Sequence, residues 1–446
     1  LDLLVCNHSD VSCQAEIHAF AGTEISHENM GQGTEKKNFD FQAGNNKMKL
    51  VLTYPGDTQR WDEFSPHLEK VLVEISSMWG LQKKAVTFGF CHINTKDGMF
   101  FVNQRPTYFR GTHFAGDYPL TGYPSCSKEW WEKIMITIKD WGLNFIRFHS
   151  YCPPAAAFEA ADEAGVYLQV ECGMWNVEEA KRIIDCFGNH PSFVMLSPSN
   201  EPGGEWMEPL QKWVETIKEY DDRRLYTVQS GWPYPVVPAK IDGTDYVYFH
   251  RSGYGLEPGG TIRNHQGWKG KDYRISLEGI RYPVICHELG QWCSYPDYSV
   301  IEKFTGYMRP GNFKVFKESA RANRVLKQNK EFVYYSGRQQ VAMYKEDLEA
   351  NFRTPHIYGF ELLDLHDYLG QGTALVGILD SFWEEKGYVK KEEWKTFCNE
   401  TVVLARLNKR TYTNKEEMNI PVEICHFGRE ELKKQKIWWK MLLSSW

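Results

Sequence analysis

Hydrophobic and polar positions change their period twice along this chain. Over residues 1–97, short apolar runs such as Leu3-Leu4-Val5, 48–52 and 70–75 alternate with polar positions and are separated by Gly, Asn and Asp. A period of two predicts strands with one buried face, and a β-sandwich is the natural way to cover such faces. From Met99 the pattern becomes mixed. Strands are predicted at 99–102, 107–113, 144–149, 166–171, 193–196, 225–229, 246–250, 283–287 and 357–363. Helical periods fall between most of them. Ser127 caps a helix carrying Trp130, Trp131, Ile134, Met135 and Ile138, an Ala-rich helix follows Pro153, and a long helical region covers about 313–350. The eight strands from 107 onward, with their helical crossovers, predict a (β/α)₈ TIM barrel over 98–410. The Gly-rich stretch 251–275 reads as a long rim loop. After Tyr412 the pattern returns to β at 418–424 and 436–439. That predicts the start of a second β-sandwich over 411–446.

Composition narrows the function classes. Hydrophobic residues make up 42% and charged residues 25%, as in ordinary globular proteins. The net charge of −6 offers no basic surface for nucleic acid. No apolar run approaches the roughly 18 residues that a membrane span needs. The 11 Cys include no CxxC pair, and no HExxH is present, so neither a zinc site nor a disulfide scaffold is expected. Aromatics reach 15%, and aromatic faces suit the apolar faces of sugar rings as well as cores. The chain opens at Leu1, without Met or a signal-peptide pattern, and is expected to be processed or a fragment.

The strand 193–196 runs straight into Ser197, Pro198, Ser199, Asn200, Glu201, Pro202, Gly203 and Gly204, which cannot continue a helix or a central strand. Glu201 therefore sits just past a strand end. In a (β/α)₈ barrel that rim carries the catalytic groups. Glu288 has a similar address, ending the run Pro283-Val284-Ile285-Cys286-His287-Glu288. Two carboxylates on two strand ends are the minimum equipment for cleaving a glycosidic bond.

These residues resemble glycoside hydrolase family 2, the β-galactosidase, β-glucuronidase and β-mannosidase group, and look most similar to β-galactosidase-like enzymes of gut Bacteroidetes. The likeness runs from Trp61 to Gly428. It includes Phe88-Gly89-Phe90, Arg110-Gly111-Thr112-His113, Gly188-Asn189-His190-Pro191-Ser192, Asn200-Glu201, Asp222-Arg223-Arg224-Leu225 and the segment ending in Glu288. The resemblance implies an immunoglobulin-like sandwich before the barrel. It also implies a sugar-binding jelly roll further upstream, which these residues do not supply.

The resemblance further implies a retaining, exo-acting hydrolase for a terminal β-glycoside, with Glu201 as general acid/base, Glu288 as nucleophile and Asn200 on the sugar 2-hydroxyl. Arg147 is expected to brace Glu288. His113, His149 and His250, at apparent strand ends, are candidates for touching substrate, as is Glu171. Tyr248 is a candidate to hydrogen-bond the nucleophile, and Trp292 and Trp175 are candidate ring platforms.

Two departures bear on the sugar. The family commonly carries a Trp at the end of the eighth strand, beneath the sugar, whereas here Asp364, His366 and Asp367 occupy that rim, and Asp364 and His366 are candidates for touching substrate. The uronide branch carries Asn-x-Lys after it, and none occurs between Gly370 and Lys395. Expected partners are oligosaccharides or polysaccharide-derived glycosides. No cofactor and no metal ligand set are expected, and export to the periplasm or cell surface follows from the resemblance. Alternatives on the same barrel are a catalytically silent carbohydrate-binding protein or a glycosidase for an α-L-arabinopyranoside.

Overall fold

The computed structural model describes residues 1–22, 33–54, 57–228, 230–231, 243–250, 270, 272–371 and 375–438. Near the N-terminus a four-stranded antiparallel sheet orders the segments Gly33–Phe41, Cys13–Gly22, Glu69–Ser77 and Gly80–Phe88. A second antiparallel pair joins Asp2–Asn7 to Gly44–Lys49. Alternate residues of the central strand, Ala15, Ile17, Ala19 and Ala21, share one apolar core with Met48, Leu50, Val71 and Val73.

Eight parallel strands form the main sheet: β1 (Phe109–Phe114), β2 (Phe145–Phe148), β3 (Tyr167–Glu171), β4 (Phe193–Ser197), β5 (Leu225–Tyr226), β6 (Val247–His250), β7 (Val284–Gly290) and β8 (Ile357–Leu363). Among the described residues the order is β5-β4-β3-β2-β1-β8-β7-β6, the TIM-barrel order. Among the described residues the longer helices are α1 (Lys128–Asp140), α2 (Ala155–Ala164), α3 (Val177–Phe187), α4 (Met207–Tyr220), α5 (Gly311–Ala322) and α6 (Asn329–Arg353). Ser127 caps α1 by accepting from the Trp130 amide, and Asn176 caps α3 by accepting from the Glu178 and Glu179 amides. The α1 face bearing Trp131, Ile134, Met135 and Ile138 is buried against the sheet.

Two expectations need adjusting. The long helical region divides into α5 and α6. The expected fifth strand shrinks to Leu225–Tyr226. Met99–Val102, ahead of the barrel strands, pairs antiparallel with Ile93–Lys96 and, through the expected turn, with Arg105–Thr107. Its Phe100 and Val102 pack against Phe109, Phe145, Tyr167 and Leu225, residues at the starts of barrel strands, so this small sheet closes the N-terminal end. The opposite end carries the site. Toward the C-terminus the segment Thr401–Ala405 pairs antiparallel with Val422–His426.

Candidate active site

The two strand-end glutamates meet. One carboxylate oxygen of Glu201 and one of Glu288 lie within 4.8 Å of each other, with His287 beside both. The loop after β4 is pinned by a parallel bridge between Asn200 and Ser230: the Glu201 amide donates to Ser230 O at 2.8 Å, and the Ser230 amide donates to Ser199 O at 3.0 Å. Glu201 and Glu288 both have left-handed backbones, with φ of 35° and 44°. Non-glycine residues adopt that region at a cost, and such positions cluster at functional sites.

On β7 the pairing slips. Cys286 faces Phe360 and Leu289 faces Leu362, so three steps on β7 oppose two on β8. One extra residue in a strand re-aims its neighbours. Here it lets the consecutive side chains of His287 and Glu288 both reach the site.

The two carboxyls differ in setting. The Glu201 side chain is 40% exposed and that of Glu288 9%. Glu288 accepts from Gln291 Nε2 at 3.2 Å and lies 3.8 Å from Arg147 Nη1. Arg147 therefore does reach Glu288, but its shorter bonds go elsewhere. It donates to both oxygens of Glu171 at 3.1 Å, to Glu361 Oε1 at 2.6 Å and to Asn200 Oδ1 at 2.7 Å. The guanidinium is fully buried, so these partners compensate a charge removed from water. Burial pushes the Glu361 carboxyl up, yet Arg147 and His287 outweigh it and hold it at about 2. Glu171 is buried as well, accepting from Ser150 and Ser197, and belongs to the scaffold beneath the pair.

Other expected contacts are placed differently. The Tyr248 hydroxyl donates to Gln169 Oε1 at 2.6 Å and not to the nucleophile candidate, because Gln169 on β3 reaches across the barrel interior. Asp364 and His366 are fully buried rather than displayed on the rim. Asp364 accepts from Thr112, contacts His113 at 3.1 Å and lies 3.3 Å from His366. His366 stacks on Trp383 at 4.3 Å and contacts Asp117 at 3.1 Å. His113 passes this chain on to His149, Nε2 to Nδ1 at 2.8 Å. Burial, then Arg147 and His113, lower the His149 pKa to about 4, so its ring is neutral at ordinary pH.

Trp292 donates its indole N–H to Asp347 on α6 at 2.8 Å. Trp175 donates to Ser199 at 3.0 Å and is 40% exposed. The His250 side chain lies outside the described residues.

Groups that sequence reasoning passed over are His287, Glu361, Gln291 and Tyr368, whose ring lies 5.1 Å from that of His113. Two trios each bring one possible ligand atom per residue within 4.8 Å of the others: His113 with His149 and Glu288, and Glu201 with His287 and Glu288. In the first, His113 also contacts Asp364. In the second, the surrounding carboxylates outweigh burial and raise the His287 pKa to about 9.

No profile of a known protein family matches the chain. It is 22% identical over 330 residues to a β-galactosidase of Alteromonas mediterranea, a match spanning 66% of this chain and 30% of that enzyme. The chain spans under a third of the length of the curated relatives it matches. Among solved structures, it resembles a glycoside hydrolase family 2 β-galacturonidase from Eisenbergiella tayi bound to galacturonate. There the TM-score is 0.64 at 18% identity, covering 89% of this chain and 69% of that one. It also resembles the β-glucuronidase of Bacteroides uniformis, with a TM-score of 0.62 at 16% identity, covering 91% and 49%. In sequence and in fold the chain is similar to the glycoside hydrolase family 2 enzymes that its strand-end motifs resemble.

Proposed function

We propose that this chain is the catalytic portion of a retaining, exo-acting glycoside hydrolase for a terminal β-galactoside-like sugar, on a barrel preceded by an immunoglobulin-like sandwich. The observation that carries the reading is that one carboxylate oxygen of Glu201 and one of Glu288 lie within 4.8 Å of each other, a contact compatible with the short carboxyl separation of a retaining pair. Retaining glycosidases hold their carboxyls about 5–5.5 Å apart, whereas inverting enzymes need about 6.5–9.5 Å to admit a water. The unequal burial supports the division of roles. The exposed Glu201 can give a proton to the leaving oxygen. The enclosed Glu288, next to Arg147, can hold a charge aimed at the anomeric carbon.

In the first step Glu201 protonates the glycosidic oxygen, the alcohol departs, and Glu288 bonds to the anomeric carbon. In the second, the Glu201 carboxylate takes a proton from water. The water oxygen bonds to the anomeric carbon and the ester to Glu288 breaks. Asn200 and His149 line the sugar side of the pair in this reading. The substrate is an oligosaccharide or polysaccharide-derived glycoside met outside the cytoplasm. The two named structural neighbours act on uronides. The absence of Asn-x-Lys between Gly370 and Lys395 favours a neutral sugar here.

The test is incubation with an activated 2-deoxy-2-fluoro-β-galactoside, followed by peptide mapping, beside a panel of aryl galactosides, arabinopyranosides, glucuronides and galacturonides. A mass gain on the peptide containing Glu288 is expected. Absence of any adduct or turnover across the panel, with sugar binding retained, overturns the assignment in favour of a carbohydrate-binding protein.

A further inference from the structure

We propose that His287 is the shared counter-ion of the two carboxylates, an imidazolium that stays paired with their one negative charge as it passes from Glu288 to Glu201 and back. This rests on the glycosidase reading above. In the resting pair Glu288 is the carboxylate and Glu201 carries the proton. In the glycosyl-enzyme Glu288 is a neutral ester and Glu201 is the carboxylate. One negative charge is present in both states, and only its position changes. A single cation equidistant from both oxygens serves both states without moving.

The geometry is of that kind. His287 Nε2 lies 3.4 Å from Glu201 Oε1 and 3.4 Å from Glu288 Oε1. The other ring nitrogen is anchored, with Nδ1 2.9 Å from Glu361 Oε1. The ring is fully buried, and Gly231 closes against it. Gly231 has φ 77°, and a Cβ built there would fall 2.3 Å from Nε2. A side chain at 231 would occupy the space the imidazole needs. The β7 bulge supplies the remaining condition, letting two consecutive side chains face one site.

The charged and titratable groups facing the ring are Glu201 beyond β4, Glu288 on β7 itself, Glu361 on β8, Arg147 on β2 and Tyr248 on β6. Arg147 Nη1 is 3.5 Å from Nδ1, and the Tyr248 ring centroid is 5.8 Å from the imidazole. Burial draws the His287 pKa down, but Glu288, Glu201 and Glu361 outweigh it and Arg147, leaving it raised to about 9. The ring is thus charged at neutral pH. His287 acts through the two carboxylates and is a positioning residue.

Two measurements test this. The first needs no turnover. Protein with ¹⁵N-labelled histidine is titrated by NMR, and the His287 signal is identified among the 14 histidines by its loss in His287→Gln. The same titration is run on Glu201→Gln and Glu288→Gln. In the alkaline range where His287 titrates, with the proton of Glu201 already lost, a shared counter-ion requires the His287 midpoint to fall in each single variant. A midpoint insensitive to either substitution overturns the proposal. The second is the pH profile of kcat/KM for His287→Gln on an aryl glycoside that the wild type cleaves. Removing the cation raises the pKa of both carboxyls, so both limbs of the profile move to higher pH. The rate also falls by about 10²-fold, as for loss of one preorganised electrostatic group. A lower rate with both limbs in place assigns His287 a merely structural role. Wild-type silence on every glycoside removes the hydrolase reading, and the NMR titration still decides whether the ion pair is shared.

Discussion

Arg147 grips Asn200 by its amide oxygen, with Nη2 2.7 Å from Oδ1. A guanidinium has only donors, so this contact fixes which way the amide faces. The NH₂ is the group left to meet a sugar. Arg147 cannot yield, since Glu171 and Glu361 hold its other nitrogens. In the proposed reaction Asn200 would be a preset donor for a hydroxyl oxygen next to the anomeric carbon. Such bonds strengthen in the transition state and are worth several kcal/mol. Asn200→Ala is expected to lower kcat/KM by about 10²–10³-fold on the parent glycoside. On the 2-deoxy glycoside the same substitution should cost little. Equal losses on both would place Asn200 outside the sugar contact.

Glu201 and Glu288 should separate cleanly by leaving group. Glu201→Ala removes the proton donor. The first step then slows by about 10²–10⁴-fold on poor leaving groups and little on dinitrophenyl glycosides, whose phenolate departs unaided. Added azide should restore turnover, giving a β-glycosyl azide detectable by NMR. Glu288→Ala should lose activity on every leaving group, because the covalent step itself is gone. If the two variants respond alike to the leaving group, the division of roles is wrong.

How far the sequence showed this site can be traced residue by residue. The strand-end placement of Glu201 was legible because an apolar run ends in residues that forbid both helix and strand, and that of Glu288 from the same address on another strand. The barrel was legible from helices alternating with apolar runs. His287 was not, because its place in the run 283–288 looks like an ordinary strand position. The bulge that turns it inward arises from pairing with β8 and leaves no local mark. Glu361 was hidden inside the run Ile357–Leu363, where it reads as one polar interruption, and only the fold brings Arg147 and His287 to it. Tyr248 was given the wrong partner for the same reason, since Gln169 on β3 is distant in sequence and adjacent across the barrel. Asp364 and His366 looked like rim residues because they follow the eighth strand, where the resembling family carries its Trp. Their mutual contacts with His113, Asp117 and Thr112 are what permit burial.

Two histidines should bend the stability of this protein in opposite directions with pH. The His287 pKa is raised from 6.5 to about 9, so its contribution is complete below about 6.5 and is lost as pH rises through 9. The His149 pKa is lowered from 6.5 to about 4. Its contribution is present above about 6.5 and lost as pH falls through 4, because the unfolded chain binds the proton first. Each has a limiting slope of about 1.4 kcal/mol per pH unit inside its window. Urea unfolding between pH of about 4 and about 9 should show a maximum near neutrality. His149→Gln should flatten the acid side and His287→Gln the alkaline side. Unchanged slopes in these variants would assign the pH dependence to other groups.

Gly231 offers a way to move His287 without altering any group that ionises. Its φ of 77° is one that alanine adopts only under strain, and the added Cβ would fall 2.3 Å from Nε2. Backbone atoms of the turn are fixed by the Asn200–Ser230 bridge, so the ring is the part that gives way. Gly231→Ala is expected to lower kcat by about 10²-fold, the usual consequence of an ångström-scale misplacement at a reacting centre. It should also reduce stability by more than about 1 kcal/mol, from the backbone conformation alone. The decisive comparison is the pair Gly231→Ala with His287→Asn. A shorter side chain at 287 vacates the space the new methyl needs. The double variant should then have the kcat of His287→Asn alone, with no further loss from the alanine. Neighbours that share one contact behave non-additively in this way, whereas independent sites multiply their effects. Multiplicative losses would mean that Gly231 is required for its backbone only, and that the imidazole does not depend on the space beside it.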